Sequence, residues 1–359
     1  MDVLNIFSAV KKSFFPLVKK SGKNILWLLN DYLILRKVKK VSLTEYSNFR
    51  LYDRDSSFRE NFLSYRQACI YWKILNPDSY ANIARDKFLS HLLLERVGIP
   101  MPRLIAYYHP EIGVKEGLAG HHYEHIADII KQSGFKRFVV KPSSDSAHGS
   151  GVTVCHNLIE KDGDLYVQKY DGKEIALKKL FGNVPMLVEE LVEQTHQFKK
   201  FNSSSINTVR VMTCLYPDSS VKVMATFMKI GRNGSDVDNA GSGGNVDCVI
   251  DTITGETHGA KQFNSWDDIR KIELHPDSGE KLNGVAIRNW DEIIESLKKY
   301  QTLIPQIKII GWDVAVTDKG PVIIEINNWW DTTGQEFIDR GWAPEVRDCY
   351  EAWKHSLNR

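Results

Sequence analysis

The sequence predicts an α+β protein in which two sheet-bearing lobes follow a mostly helical N-terminal region. Residues 1–75 show helical patterning without strands, and residues 136–195 alternate short apolar strands with short helical stretches. From residue 206 onward, apolar runs separated by polar turns indicate antiparallel strands. We therefore divide the 359 residues into a helical region (1–75), a linking segment (76–135), a small lobe (136–195) and a large lobe (196–359).

Composition limits the class of protein. A hydrophobic content of 42% fits a soluble globular protein, and a net charge of +2 argues against a general nucleic-acid-binding protein. The five cysteines are scattered and form no CxxC pair, which favours a reducing compartment over a disulfide framework or a zinc site. No apolar run approaches the ~18–20 residues that span a bilayer, and nothing resembles a cleaved signal. We expect a cytoplasmic protein.

The N-terminal region is locally basic. The stretches "KKSFFPLVKK" and "RKVKK" flank the apolar run "ILWLLNDYLIL". A basic amphipathic helix of this kind can lie on the anionic inner face of a membrane. The alternative is a helix that packs on the body and shows its lysines to water, and the sequence leaves both open.

Three helices frame the sheet-forming regions. The first is predicted from about Tyr80 to Val97, where Gly98 ends it. A second is predicted in "EIALKKLFG", residues 174–182, and a third from about Asp291 to Tyr300, just before the last hairpin.

The last hairpin, "IKIIGWDVAVTDKGPVIIEINN", places three polar side chains inside apolar runs: Asp313, Glu325 and Asn327. An unpaired buried carboxylate costs several kcal/mol or takes up a proton, so the three groups need a partner. Oxygen ligands of this kind suit Mg²⁺ or Mn²⁺. The sequence therefore predicts a metal site here, and the alternative is a strand whose polar face meets water.

The register of this hairpin decides whether the three groups meet. If the loop is 318–320, Thr317 pairs with Pro321 and Asp313 faces Glu325. A loop one residue longer or shorter would place an isoleucine opposite Asp313 instead.

A phosphate site is predicted where the strand "RFVVKP" ends in Lys141. The following loop, "SSDSAHGSG", offers small side chains and free backbone N–H groups that can fold over phosphates. Its candidate residues are Ser143, Ser144, His148, Gly149 and Gly151.

An acidic strand end, "MLVEELVEQ", is a candidate for holding adenine and ribose. It contains Glu189 and Glu190, and its extended continuation through Leu191 and Val192 can present backbone N–H and C=O groups to an adenine edge. The candidates for the ribose hydroxyls are Glu193 and His196.

Taken in order, these parts resemble the ATP-grasp superfamily, whose two α+β lobes hold ATP between them. The order is a lysine near a helix start (Lys87), the strand lysine, the small-residue loop, the acidic strand end, a strand arginine (Arg210) and Asp…Glu-x-Asn. The stretches "INTVRVMT", "VDNAGSGGNVDCVID", "HPDSG" and "GPVIIEINN" are similar to the sugar-transfer-associated ATP-grasp branch. The resemblance covers roughly residues 75–340.

The resemblance implies ATP-dependent carboxylate–amine ligation through an acyl phosphate, with ATP and Mg²⁺ or Mn²⁺ as cofactors. Lys87, Lys141 and Arg210 would then stabilise phosphate charge. Many ATP-grasp ligases have an arginine just before the first metal aspartate, where this chain has Gly311 and Trp312, so Arg210 or Lys229 is expected to take that role. The substrate-contacting candidates are Asp238, Asn239, Gly243, Gly244, Asn245, His275, Trp312 and Gln335.

The branch points to a sugar carboxylate or an amino acid, joined to an amine in surface-polysaccharide assembly. Trp329 and Trp330 offer flat faces that suit sugar rings, or else pack in the core. Two other functions stay open: a kinase that phosphorylates a sugar hydroxyl, and a nucleotide-binding accessory module of a glycan assembly complex. No nucleic-acid partner is expected, and the sequence does not fix the oligomeric state.

Overall fold

A computed structural model describes residues 14–114, 117–144, 149–239 and 243–357. The chain divides into two compact units. The first combines the residues up to Leu75 with those from Asp331 onward, and the second is Asn76–Trp330. The four-part division predicted from the sequence stays a prediction.

Helices and strands alternate through the described residues. The helices are α1 (residues 14–21), α2 (Ile25–Lys39), α3 (Leu43–Asn48), α4 (Ser56–Asn61), α5 (Tyr65–Leu75), α6 (Asn82–Arg85), α7 (Lys87–Arg96), α8 (Tyr123–Ser133), α9 (His196–Lys199), α10 (Trp290–Leu303), α11 (Gly334–Phe337) and α12 (Ala343–Leu357). The strands are β1 (Leu104–Tyr108), β2 (Ala119–Gly120), β3 (Phe138–Pro142), β4 (Thr153–Cys155), β5 (Asn157–Lys161), β6 (Asp164–Gln168), β7 (Glu174–Ala176), β8 (Met186–Glu190), β9 (Thr208–Leu215), β10 (Val221–Ile230), β11 (Val246–Ile250), β12 (Thr257–Ser265), β13 (Asp268–Lys271), β14 (Ile309–Thr317) and β15 (Gly320–Asn327).

The first unit is helical, as predicted for the N-terminal region. Its core is rich in aromatic rings, with Tyr46 lying 5.5 Å from Tyr32 and 5.6 Å from Tyr52 between ring centroids. The helix α3 begins with a capping box, in which Ser42 and Glu45 satisfy each other's backbone N–H groups. Over the described ranges, no helix is long and apolar enough to cross a membrane.

The second unit contains three sheets among its described residues. A five-stranded sheet has the order β2-β1-β8-β3-β4, and a three-stranded sheet has the order β5-β6-β7. A shared apolar cluster fills the space between them and includes Phe138, Val140, Leu165 and Ile130. Because β3 and β8 alternate in and out, Lys141 and Glu189 project from the opposite face of the five-stranded sheet.

The largest sheet has seven strands in the order β13-β12-β11-β10-β9-β14-β15. One face packs on α10 and a large apolar cluster that includes Val209, Met228, Leu297 and Trp312. Residues that alternate with these along the strands point to the other face, where the polar groups lie.

Two helix predictions need correction. The predicted helix from Tyr80 to Val97 is broken, because Asp86 leaves helical geometry and caps α7 by accepting hydrogen bonds from Phe88 N and Leu89 N at 2.9 and 3.1 Å. The predicted helix over 174–182 is wrong. Those residues begin with β7, which pairs with β6, and continue as a short 3₁₀ turn, Leu177–Leu180. The helix predicted near 291–300 is confirmed as α10.

The hairpin of β14 and β15 reaches the predicted pairing by a different route. Thr317 pairs with Gly320 rather than Pro321, so the predicted loop is wrong by one residue. That shorter loop alone would place Ile324 opposite Asp313, but a β-bulge between Asp313 and Val314 absorbs one residue of β15. Asp313 therefore faces Glu325, as predicted.

Candidate active site

Asp313 lies on the polar face of the seven-stranded sheet, on β14, next to the edge strand β15. Arg210, its cross-strand partner on β9, donates from Nε to Oδ1 at 2.6 Å and from Nη2 to Oδ2 at 2.9 Å. Lys229 Nζ lies 3.1 Å from Oδ1. Burial opposes ionisation of Asp313, yet these two cations outweigh it and hold the pKa of the carboxyl well below its usual range. Asp313 is therefore a fixed negative charge between two fixed positive charges.

Glu325 and Asn327 complete the predicted metal set on β15. The side chain of Glu325 is about one-third exposed, and Lys87 Nζ lies 4.0 Å from its Oε2. Asn327 donates from Nδ2 to Gly311 O at 3.2 Å and to Asp313 Oδ2 at 3.3 Å. The bulge thus brings two carboxylates and one amide to the same face.

The donor set fits a hard divalent cation. Glu325 offers carboxylate oxygens, and Asn327 leaves its Oδ1 available because its Nδ2 makes the hydrogen bonds. Both oxygens of Asp313 are engaged by Arg210, Lys229 and Asn327, so a metal at Asp313 would have to share or replace these contacts. Within the described ranges, no three His, Cys, Asp or Glu side chains gather as a metal cage. The set therefore resembles an open Mg²⁺ or Mn²⁺ site that relies on further oxygens from a ligand, and its role stays a prediction.

Gly311 leaves room for Arg210. A Cβ built on Gly311 would lie 3.5 Å from both Cδ and Nη1 of Arg210, so a longer side chain there would extend toward the guanidinium. The chain thus has no arginine at 311 and instead places the Arg210 guanidinium beside that position from the neighbouring strand. That Arg210 takes the role of the missing arginine stays a prediction.

Asp238 is a second carboxylate beside Lys229. Lys229 Nζ lies 3.8 Å from Asp238 Oδ1 and donates to Asn239 Oδ1 at 3.3 Å. Asp238 also accepts hydrogen bonds from Thr208 N and Oγ1 at 2.7 and 2.6 Å. Burial lowers the affinity of Lys229 for a proton, but Asp238 and then Asp313 reverse this and raise its pKa. Lys229 is therefore charged and held between two carboxylates.

Asp247 was missed by the sequence reasoning. It lies opposite Lys229 on β11, is almost fully buried, and both its carboxylate oxygens lack a hydrogen-bond partner among the described residues. Burial raises its pKa to about 8. The signal was present in "NVDCVID", where an aspartate interrupts an apolar strand in the same way as Asp313.

Lys141 forms a buried ion pair on the five-stranded sheet. Its Nζ lies 2.6 Å from Glu189 Oε2, and His91 Nδ1 lies 3.6 Å from the other oxygen. Burial would raise the pKa of Glu189, but Lys141 and His91 lower it below its usual range. The predicted phosphate lysine and Glu189 of the acidic strand end are thus brought together, whereas Glu190, at the end of β8, accepts a hydrogen bond from Arg103 N at 3.1 Å.

The small-residue loop begins and ends against other predicted site residues. Ser143 O accepts from Lys87 N at 2.8 Å, and Ser143 Oγ donates to Asp86 at 3.1 Å. Gly149 has a φ of +73°, and a Cβ there would lie 2.7 Å from the side chain of Val237. The loop therefore approaches the 237–239 segment that contains Asp238 and Asn239. Ser144 and Gly151 flank this region, and His148 lies outside the described residues.

A pocket of about 260 Å³ adjoins the continuation of the acidic strand. Its lining includes Leu191, Val192 and Glu193 from that segment, and His156 and Tyr170 from the region around the three-stranded sheet. Glu193 is ion-paired with Arg137 and Lys199, while His196 is exposed at the start of α9. The predicted adenine segment thus borders a cavity, and the ribose roles of Glu193 and His196 stay predictions.

Several residues predicted to contact the substrates instead make hydrogen bonds within the protein. Trp312 is buried on the opposite side of the sheet, where its Nε1 donates to Thr213 Oγ1 at 2.7 Å. His275 is buried with Nε2 3.1 Å from Gly231 O, and burial lowers its pKa. Asn245 holds the backbone of Arg232, Val237 and Asn239. Gly243 and Gly244 both have positive φ, at 60° and 76°.

Gln335 lies in the first unit and has no open polar atoms to offer. Its Oε1 accepts from Leu63 N and Trp342 N at 2.9 and 3.0 Å, and its Nε2 donates to Leu63 O and Thr332 O at 3.0 Å. Of the tryptophans, Trp330 is buried and Trp329 is 37% exposed. Their predicted contact with sugar rings is untested.

A comparison with models of protein families identifies the family of this chain. Residues 66–347 match the model described as sugar-transfer associated ATP-grasp. The chain belongs to this family. The predicted resemblance and the predicted ATP-grasp fold are therefore confirmed.

Solved structures similar to this ATP-grasp chain include three ligases. D-alanine–D-alanine ligase from Helicobacter pylori shares 14% identity, with a TM-score of 0.41 and coverage of 75% of this chain and 61% of that chain. The ATP-grasp ligase PsnB, complexed with minimal precursor, shares 15%, with a TM-score of 0.38 and coverage of 78% and 63%. Phosphoribosylamine–glycine ligase from Thermotoga maritima shares 12%, with a TM-score of 0.44 and coverage of 77% and 56%. The chain thus spans less than two-thirds of each. A comparison with curated proteins finds no match.

Proposed function

We propose that this protein is an ATP-dependent ligase that joins a carboxylate to an amine through an acyl phosphate. The observation that carries the proposal is the arrangement of Asp313, Glu325 and Asn327 on one sheet face, beside the cations Arg210 and Lys229. Such a set combines oxygen ligands for a metal with fixed positive charge for phosphate oxygens. Membership of an ATP-grasp family supports the same chemistry.

The reaction would proceed in two balanced steps. A carboxylate oxygen of the substrate attacks the γ-phosphorus of ATP, and ADP leaves. The amine nitrogen then attacks the acyl carbon, phosphate leaves, and the nitrogen loses a proton to give the amide. Divalent metal held by Asp313, Glu325 and Asn327 would neutralise charge on the phosphates.

The protein's own cations would stabilise charge that moves during transfer. Arg210 presents a planar guanidinium fixed by two hydrogen bonds to Asp313, so it needs no reorganisation when charge develops nearby. Lys229 is held in the same manner between Asp238 and Asp313. Lys141, on β3 of the five-stranded sheet, and Lys87, at the start of α7, would contact the phosphates.

The substrates belong to the proposal as well. A sugar carboxylate or an amino acid, joined in surface-polysaccharide assembly in the cytoplasm, is the class we favour. The support is the family description, which associates these ATP-grasp proteins with sugar transfer.

The decisive experiment incubates the protein with Mg·ATP, hydroxylamine and a panel of uronic acids and amino acids. We expect a hydroxamate with one carboxylate, and one ADP and one free phosphate released per product. Glu325→Gln should lower this rate roughly 10²-fold or more, the scale of losing a preorganised charged group. Glu295→Gln, on the exposed surface of α10, is the matched control and should react as wild type.

Two results would contradict the ligase. A phosphorylated sugar with no hydroxamate, and with ADP but no free phosphate, would identify the kinase. No ADP release with any substrate, together with ATP binding, would identify the accessory module.

A further inference from the structure

The helix α2 has two apolar stripes on opposite sides. Leu28, Tyr32 and Leu35 are buried and pack into the first unit. One side of the helix therefore packs on the body, and membrane contact by the other side stays a prediction. A second stripe, however, faces away from that core.

The second stripe is unusually exposed for large apolar side chains. It consists of Leu26, Trp27, Leu33, Ile34 and Val38, which are between 44% and 72% exposed. Leu26 and Leu33 are seven residues apart and form one row, while Trp27, Ile34 and Val38 form a second row beside it, with the exposed Asn30 and Lys37 between the two. We call this set the outer stripe. Scattered exposed apolar residues are ordinary, but five large apolar side chains on one broad side of a helix mark an interaction surface.

Exposed cations lie on α2 at the C-terminal end of the outer stripe and on α1. Arg36, Lys37 and Lys40 are exposed at the C-terminal end of α2, and Lys19 is exposed on α1, next to the half-exposed ring of Phe15. Long basic side chains of this kind can lie along an apolar surface while their charged ends reach a polar boundary.

Two acidic residues near α2, Asp31 and Asp53, are ion-paired, whereas Glu60 is exposed and its carbonyl oxygen accepts a hydrogen bond from Lys39 Nζ. Asp31 is ion-paired with Arg59 and accepts a hydrogen bond from Tyr46 Oη at 2.8 Å. Asp53 pairs with Lys23 at 2.8 Å, and the ammonium of Lys23 also lies 4.7 Å from the centroid of the Trp27 ring. The surroundings of the outer stripe therefore present cations and apolar groups together.

We propose that the outer stripe of α2 docks on an anionic lipid bilayer. Apolar side chains would enter the boundary between headgroups and acyl chains, while Lys19 and Lys37 meet anionic headgroups. Trp27 suits this boundary because its ring is apolar and its N–H is polar. A bilayer accounts for the charge better than a second copy does, since two like-charged stripes would repel each other.

The test is co-sedimentation of the full chain with vesicles. We expect binding to phosphatidylcholine vesicles with about one-third phosphatidylglycerol at low salt, and release as salt rises. Phosphatidylcholine alone should bind much less. The double variant Leu33→Ser/Ile34→Ser should weaken binding by roughly tenfold or more, because it removes the two central apolar groups.

Charge and fold are checked with further variants. Lys19→Glu/Lys37→Glu should reduce binding to anionic vesicles only. Ile253→Ser removes an 82%-exposed isoleucine far along the chain, and it should bind as wild type. Unchanged circular dichroism and Tm show that each variant is folded. A truncation would not be a clean test, because α2 also supplies buried core residues.

Several outcomes would overturn the proposal. One is no sedimentation of wild type at low salt, and another is equal binding by wild type and Leu33→Ser/Ile34→Ser. A third is a wild-type dimer in solution that the same double variant converts to a monomer without any vesicle binding, which would assign the outer stripe to self-association.

Discussion

At the scale of single residues, the site is a row of charges whose neighbours set their protonation. Asp313 is stabilised as a carboxylate because Arg210 and Lys229 outweigh its burial. Asp247, only one strand beyond Lys229, lacks such direct partners among the described residues, and its pKa rises to about 8. The same residue type on the same face therefore has opposite tendencies.

Asp247 should make stability depend on pH. In the unfolded chain its carboxyl ionises near 3.8, whereas in the folded chain it keeps its proton until about pH 8. Between these values the folded state binds more protons, so the free energy of unfolding falls as pH rises. Asp247→Asn removes this contribution. We expect its Tm to exceed that of wild type at pH 8, with the difference shrinking toward pH 5.

The control for Asp247 is a carboxyl with the opposite shift. Asp277 is paired with Arg232, which lowers its pKa to about 2, so it stays ionised from pH 5 to 8. Asp277→Asn should change Tm by a similar amount at both pH values. A pH-independent difference between Asp247→Asn and wild type would show that Asp247 ionises normally.

At the scale of elements, the sequence predicts which helices and strands are present better than it predicts where they break or bulge. Helical content up to residue 75 and the helix α10 follow from periodicity and burial. The pairing of Asp313 with Glu325 matches the prediction only because a bulge compensates for a loop that was wrong by one residue. The break at Asp86 and the bulge in β15 do not follow from periodicity and burial, because each depends on one local choice of hydrogen bonds.

The candidate site divides in the same manner. Strand alternation correctly grouped the charged residues on one face, since that face follows from a two-residue period. The same alternation places Trp312, one position before Asp313, on the opposite face and in the core, so the predicted substrate contact of Trp312 was inconsistent with it. Strand alternation gives no information on Gln335, whose Oε1 accepts hydrogen bonds from the backbone N–H groups of Leu63 and Trp342. At least one of these contacts joins segments that are distant in sequence.

A close approach within the first unit can be tested directly. A Cβ on Gly341 would lie 2.2 Å from the backbone C and O of Asn61 and 2.6 Å from Phe62 N. These are backbone atoms, which cannot move aside cheaply. Gly341→Ala should therefore lower the free energy of unfolding by about 1–3 kcal/mol, seen as a lower Tm.

Gly182 is the matched control for Gly341. A Cβ there would have nothing within 4 Å, and its φ is not in the left-handed region. Gly182→Ala should stay within about 0.5 kcal/mol of wild type. Equal Tm values for Gly341→Ala and wild type would mean that the two segments of the first unit are further apart than described.

At the scale of the whole molecule, ligand binding and stability are linked, since a ligand of the folded state alone raises its stability. At a ligand concentration of 100 times Kd the gain is about 2.7 kcal/mol. Under the proposed function, Mg·ATP should raise Tm, and chelation of the metal should reduce that rise. Adenosine should give a smaller rise of its own, independent of metal, because it contacts only the base and ribose positions.

The proposed contact of Lys141 with the phosphates is tested by comparing the rise in Tm caused by Mg·ATP with the rise caused by adenosine. Lys141→Ala alone is a poor probe, because it would leave Glu189 buried without its partner, at a cost of about 3–5 kcal/mol. The double variant Lys141→Met/Glu189→Gln removes both charges and keeps the volumes similar. Its Tm should no longer respond strongly to Mg·ATP, while its response to adenosine should match wild type. Loss of both responses would mean that the nucleotide site has collapsed, and an undiminished ATP response would show that Lys141 does not meet the phosphates.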